Sequence, residues 1–196
     1  MKKTIKNGLQ SMLLLVCLLA SLSVVCPGKE TAGRKFMVTA GGNFFSSLQT
    51  QYRQIYGQLV FMPEIKITRL VYRDITIWGS FGLISKNGFI EEVDEKAHIR
   101  QTMLSFGLGY VHKLSALLRL RAELGLTFIS FKEEALEETV KGSGVGWKIG
   151  ANLDYFVGKK TFVMLTTAYS MASDEAQTGK IKLGGFQAGA GLGFVF

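Results

Sequence analysis

The sequence contains few of the side chains that commonly build metal sites, disulfide frameworks or hydrolytic centres. Its 196 residues include two cysteines and two histidines. Cys17 and Cys26 lie within or beside an apolar segment that we expect to be removed on export, so we predict no disulfide in the mature protein. His98 and His112 by themselves make a poor metal site. We therefore predict no metal ion and no other cofactor.

The sequence after Gly33 also lacks an apolar run long enough for a transmembrane helix. The earlier run Met12–Val25 has fourteen residues, whereas a spanning helix needs about 20. It follows a lysine-rich start and is typical of the hydrophobic region of a signal peptide. We assign residues 1–28 to a signal peptide, with cleavage between residues 23 and 33, and residues 34–196 to a single folded domain.

The excess of basic residues does not indicate a nucleic-acid partner. Lysine and arginine number 23 against 15 acidic residues, which gives a formal net charge of +8. A nucleic-acid interface gathers basic residues on one face and interleaves them with aromatic rings. Here the basic residues are scattered along the chain. We predict that nucleic acid is not a partner.

The last eleven residues carry the clearest pattern in the chain. Counted backward from Phe196, every second residue is apolar, through Phe194 and Leu192 to Phe186. The residues between them are mostly glycine. Because successive residues of a strand face opposite sides, the pattern predicts a strand with one apolar face and one bare face.

Alternating segments of this kind recur eight times, and we predict that they form one antiparallel barrel. The predicted strands are Lys35–Phe45, Gly57–Thr68, Asp74–Ile84, Arg100–Tyr110, Ala116–Phe131, Gly144–Val157, Thr161–Met171 and Lys182–Phe196. Long and short connections alternate, as in an up-and-down barrel. The predicted long loops are Ser46–Tyr56, Ser85–Ile99, Lys132–Ser143 and Ala172–Ile181. Pro63 in the second strand fits a hydrogen-bonded ladder poorly.

Alternation alone does not distinguish a membrane barrel from a soluble one, because only the direction of the apolar face differs. Two features favour the membrane. The polar face combines charges of both signs with many glycines, which suits a narrow lumen. The apolar face carries aromatic residues near strand ends, as an interfacial belt requires. These aromatic residues are Phe128, Tyr110, Trp147, Tyr155, Phe194 and Phe196.

With these strands and loops, the region Lys35–Phe196 resembles the small OmpA/OmpX-type outer-membrane β-barrels. The resemblance implies an all-β, eight-stranded transmembrane barrel with a filled interior, located in the cell outer membrane. It also implies that the last strand carries the signal read by the barrel-assembly machinery. We assign that signal to Phe186, Leu192, Phe194 and Phe196. The expected partners are that machinery together with outer-membrane lipid and lipopolysaccharide, and the expected state is a monomer.

Charged residues of the polar face are expected to form a network in the lumen. The candidates are Glu64, Lys66, Arg119, Arg121, Glu123, Lys148 and Asp154. Pairing the fifth and sixth strands brings Arg121 roughly opposite Asp154. Confined charges must pair and form hydrogen bonds, so we interpret the network as a structural plug. A gated or narrow ion path stays open as the alternative.

The sequence favours a non-enzymatic barrel that serves envelope integrity or surface interaction, with small-solute passage left open. The alternative is an outer-membrane enzyme that acts on outer-leaflet lipid. Such hydrolases need a histidine near a serine or an acid at the outer rim. His98 lies in a long predicted loop without a serine placed beside it. His112, near Ser115, lies in a short predicted turn on the periplasmic side. We therefore predict no catalytic residues.

Overall fold

The structure is a computed structural model that describes residues 36–90, 94–135, 138–176 and 179–196. The predicted signal peptide lies outside these residues. Among the residues described, no helix is both long enough and apolar enough to cross a membrane.

The described chain forms eight strands that close into one antiparallel barrel in sequence order. The elements are β1 (Phe36–Ser47), α1 (Thr50–Tyr56), β2 (Val60–Tyr72), β3 (Ile75–Ile90), β4 (Glu95–Lys113), β5 (Leu118–Ala135), β6 (Glu138–Phe156), β7 (Thr161–Ala176) and β8 (Gly179–Val195). The barrel closes where β1 pairs with β8, from Met37 opposite Val195 to Ser47 opposite Gly185. The predicted fold class is confirmed.

The two faces of the barrel wall have opposite character. In β5, Leu124 is 60 % exposed on the outside, whereas Arg121 is fully buried on the inside. The same alternation runs along β8, where Leu192 and Phe194 are exposed and Val195 is buried. An apolar exterior around a charged interior is the arrangement of a membrane barrel, because a soluble barrel turns its apolar face inward.

The two ends of the barrel differ in their connections. Short turns after β2, β4 and β6 lie at one end, which we call the turn end. The other four connections lie at the opposite end, which we call the hairpin end. Both Phe36 and Phe196 lie at the turn end, where the Phe196 N–H donates to the Phe36 carbonyl at 2.8 Å.

The predicted long loops at the hairpin end are largely strand instead. β3 continues to Ile90, β5 continues to Ala135, and β6 begins at Glu138. The region Lys132–Ser143, predicted as a loop, is therefore mostly a two-stranded extension. Such extensions lose the apolar alternation once both faces leave the apolar environment, while the backbone ladder continues. The sequence pattern marked where the apolar band ends and not where the strands end.

The strands β1 and β2 are shorter than the others at the hairpin end. β2 pairs with β3 only from Glu64 opposite Gly82 onward, so Pro63 lies just outside that ladder. Its missing N–H therefore interrupts no β2–β3 pairing. The helix α1 occupies the connection above β1 and β2, and Gly57 ends it with a positive φ of 94°. This helix replaces the loop predicted over Ser46–Tyr56.

Candidate functional site

The interior of the barrel is filled in three layers. At the hairpin end, Tyr52 and Tyr56 of α1 pack into an apolar cluster with residues from the strands around them. Those strand residues are Phe45, Val60, Met62, Ile84, Ala97, Ile99, Met103, Ile129, Ala172 and Leu183. A charged layer lies below, and a second apolar cluster closes the turn end.

The apolar cluster at the turn end explains one glycine on the bare face of the last strand. Its members are Met37, Phe156, Phe162, Met164 and Val195. The rings of Phe156 and Phe162 lie 5.2 Å apart, centroid to centroid. A Cβ added to Gly193 would clash with the Phe162 ring. Gly193 therefore leaves the space that this inward aromatic side chain occupies, whereas a Cβ at Gly189 or Gly191 would meet the backbone of β1.

The charged layer is built around Arg121 and Asp154. The Arg121 Nε donates to Asp154 Oδ2 at 2.7 Å, and Nη2 donates to Asp154 Oδ1 at 2.9 Å. This is a two-point contact between a guanidinium and a carboxylate. In the strand register Asn152 lies opposite Arg121, and Asp154 lies opposite Arg119. The contact with Asp154 is therefore diagonal, because Asp154 lies two residues along β6 from the position directly opposite Arg121.

Arg121 connects this pair to the other side of the barrel. Its Nη1 contacts Glu123 Oε1 at 3.4 Å and donates to the Thr68 hydroxyl at 3.1 Å. Lys66 Nζ donates to Glu123 Oε2 at 2.7 Å and to Asn152 Oδ1 at 3.1 Å. The four groups around Arg121 and Lys66 thus come from β2, β5 and β6.

A second bridge joins Glu64 to Lys148. The Lys148 Nζ donates to Glu64 Oε1 at 2.9 Å, and Asn43 Nδ2 donates to Glu64 Oε2 at 2.6 Å. β2 and β6 are four strands apart in the ring of eight, so the contacts between them cross the interior. The six charged residues, three basic and three acidic, are each at most 7 % exposed. Burial on this scale requires every charge to be paired.

Arg119 has a different environment from the other six predicted residues. Its guanidinium lies 4.3 Å from the centre of the Phe156 ring, beside the apolar cluster at the turn end. Within the described chain it forms no ion pair. Arg119 lies two residues nearer the turn end than Arg121 and directly opposite Asp154, but Asp154 pairs with Arg121 and the guanidinium of Arg119 lies over Phe156 instead. The neutral contributors Asn43, Thr68 and Asn152 were missed because only charge drew attention to the inward positions; strand parity would have found them.

The two histidines do not form a recognisable reactive centre. His98 Nδ1 lies 2.6 Å from the Asn87 side-chain oxygen, on the extension of β4. His112, predicted to be in a turn, lies within β4 opposite Leu120 and is exposed. Neither histidine has a hydrogen bond to a serine in the part of the chain that the structure describes. Within the same residues, no group of histidine, cysteine and acidic side chains has the arrangement of a metal site.

The residues assigned to the assembly signal all face the outside of the barrel, with Phe186 toward the hairpin end, opposite Ser46, and the other three toward the turn end. Phe186, Leu192, Phe194 and Phe196 are all exposed. Phe196 is 71 % exposed, so its ring contributes little to packing within the barrel. The structure thus places these side chains where another protein can contact them, and their role in assembly stays a prediction.

A closed barrel with an apolar outside and a paired, charged inside defines an integral membrane protein of the outer-membrane β-barrel class. Residues 17–194 match the family described as outer membrane protein beta-barrel domain. The chain belongs to this family, and its location is the cell outer membrane. No curated protein matches the sequence.

Solved structures with the same fold share little sequence with this chain. Neisserial surface protein A has a TM-score of 0.63 at 10% identity, covering 82% of this chain and 97% of its own. The N-terminal barrel domain of Pseudomonas aeruginosa OprF has a TM-score of 0.57 at 15% identity, covering 83% and 97%. Ail of Yersinia pestis has a TM-score of 0.54 at 17% identity, covering 83% and 99%. At these identities the likeness concerns the fold alone.

Proposed function

We propose that the protein is a structural, non-enzymatic outer-membrane barrel with a closed lumen, which supports envelope integrity and presents its hairpin end for surface interaction. The main support for a closed lumen is the balanced set of three cations and three anions that crosses the interior between β2, β5 and β6. The apolar clusters above and below add two further barriers to water.

The energetics of the charged layer support a closed state over an ion path. A passing ion would have to separate pairs such as Lys66 and Glu123, which are almost fully buried. Separating a buried pair leaves each charge without compensation, at a cost of about 3–5 kcal/mol. Small-solute passage would require these pairs to rearrange together, and the helix α1 would also have to leave the mouth.

The enzymatic alternative, a hydrolase of outer-leaflet lipid, receives no support from the histidines. A general base needs a nucleophile within hydrogen-bonding reach and a third group that orients it. His98 contacts the side chain of Asn87, and the acid opposite it, Glu134, contacts Lys132. We therefore retain envelope integrity and surface interaction as the proposed role of the barrel.

Single-channel recording in planar lipid bilayers tests the closed lumen. We expect the wild-type barrel to stay at background conductance. The variant Lys66→Ala, Glu123→Ala, Tyr52→Ala, Phe162→Ala keeps the net charge, removes bulk and pairing from the charged layer and opens the apolar cluster at each end, so it should conduct measurably. The control Lys66→Met, Glu123→Leu keeps the bulk and should stay closed. Discrete conductance steps from folded wild-type protein would contradict the proposal.

A further inference from the structure

The outer surface of β4, β5 and β6 changes abruptly at the hairpin end of the apolar band. Residues that lie directly opposite one another on these strands form three successive rows. The first row is Leu104, Phe128 and Val145, the second is Thr102, Ser130 and Ser143, and the third is Arg100, Lys132 and Lys141. We call the third set the basic row. All three of its side chains are exposed.

The basic row brings three cations together on neighbouring strands. Lys132 lies opposite both Arg100 and Lys141. Adjacent strands are about 4.8 Å apart, and like charges directly opposite each other destabilise a sheet. Among the described residues, the acid in contact with the row is Glu134, which pairs with Lys132. The hydrogen bond and charge of Lys132 lower the pKa of Glu134, with small contributions from His98 and Arg100.

Among the residues whose side chains the structure describes, one carboxylate therefore faces three cations, which leaves an excess of positive charge in the row. The row lies next to hydroxyl groups, where Thr102 Oγ1 and Ser130 Oγ are 2.7 Å apart. Beyond the hydroxyl row the wall is apolar. Phe106 and Phe128 stack there with their ring centres 5.8 Å apart. The surface thus offers a cationic site, then hydrogen-bonding groups, then an apolar wall.

We propose that the basic row binds the phosphate of a phosphorylated glycolipid of the outer leaflet, with the acyl chains lying on the apolar wall below. Short turns face the periplasm in barrels of this kind, which places the hairpin end at the outer leaflet. The order of charge, hydroxyl and apolar groups matches the order within such a lipid, and a free anion would use only the first. The inference rests on the membrane location and does not require a closed lumen.

Native mass spectrometry of the refolded full barrel in zwitterionic detergent tests the site. The probes are lipid A with two phosphates, its dephosphorylated form, and inorganic phosphate. The triple variant Arg100→Gln, Lys132→Gln, Lys141→Gln should bind the phosphorylated lipid at least about tenfold more weakly than wild type, because each basic residue near an anionic headgroup contributes a factor of about five. Wild type should prefer the phosphorylated lipid by a similar factor over the other two probes.

A matched control carries the same change in net charge at the turn end. Lys113→Gln, Lys159→Gln, Lys160→Gln also removes three exposed cations and should keep wild-type affinity. Lys141→Gln alone should weaken binding while leaving thermal stability in lipid-free detergent unchanged or raised, because it removes a like-charge pair. The proposed site would be overturned if the basic-row triple variant kept wild-type affinity, or if the control lost as much affinity as that variant. It would also be overturned if wild type bound inorganic phosphate as well as the phosphorylated lipid. Conductance by wild type would end the closed-lumen proposal and leave this one intact.

Discussion

At the scale of the residue, the pleat of a strand decides which medium each side chain meets. Arg121 and Leu124 both lie in β5, an odd number of positions apart, and they face the interior and the lipid respectively. Leu124 lies opposite Leu108 and Ile149, both exposed and apolar. Loss of a charged side chain should therefore destabilise the inner face, and gain of a charged side chain should destabilise the outer face.

Arg121→Leu should lower the free energy of unfolding by about 3–5 kcal/mol, because it leaves the buried Asp154 without its partner. Leu124→Arg should lower it by about 2–4 kcal/mol, because it exposes a charge to the centre of the bilayer. Urea unfolding in lipid vesicles measures both. The double variant Arg121→Leu, Asp154→Leu removes the uncompensated charge and should recover much of the loss. If Arg121→Leu proved neutral, the lumen charges would not be coupled as described.

At the scale of the element, α1 depends on its contacts with the barrel. It has seven residues, and a helix of that length is not stable alone in water. Tyr52 and Tyr56 lie one turn apart and are buried together, with ring centres 5.0 Å apart. The Tyr56 hydroxyl donates to Glu133 Oε1 of β5 at 2.6 Å. The Tyr52 hydroxyl is buried and has no partner within the residues described.

Tyr56→Phe should loosen α1, because a hydrogen bond to a charged acceptor contributes about 1.5–3 kcal/mol. Tyr52→Phe is the matched control and should be neutral or slightly stabilising. Amide hydrogen exchange across residues 48–59 measures the local opening. Burial, together with the Glu133 contact, raises the pKa of Tyr56. The contact is thus fully present below the ordinary tyrosine pKa of about 10 and is lost as the pH rises through the raised value. Equal exchange in the two variants would refute the role of Glu133.

At the scale of the whole molecule, closure of the barrel places the last strand between β7 and β1. The backbone of Phe196 completes this closure through its bond to Phe36, whereas its ring stays outside. A substitution that removes only the ring therefore tests recognition during assembly while leaving the stability of the finished barrel nearly unchanged.

Phe196→Ala keeps the backbone bond and should reduce the amount of folded barrel in the membrane while export continues. Its unfolding free energy in detergent should change little, since an exposed aromatic ring gains little from burial. Unheated and heated gel samples of membrane fractions measure the folded amount. Tyr155→Ala removes another exposed ring near the turn end and should leave the yield unchanged. A normal yield in Phe196→Ala would remove this residue from the proposed assembly signal.

The sequence by itself determined the number of strands and the face of each inward residue. Both follow from the two-residue period of a strand, which is a local property of the chain. Alternation in β5 was enough to separate Arg121 and Glu123 from Leu120 and Leu124. The same logic identified the apolar outside of β8.

Only the tertiary structure decided which inward side chains meet. The contacts of Lys66 with Glu123 and of Glu64 with Lys148 join residues that are 57 and 84 positions apart. They depend on the stagger of the strands around the closed barrel, which no short segment encodes. Tertiary structure also decided that α1 fills the mouth, because its stability comes from contacts with the barrel. The two-residue period of a strand fixes whether a side chain points inward or outward, and closure of the barrel fixes which inward side chains come into contact.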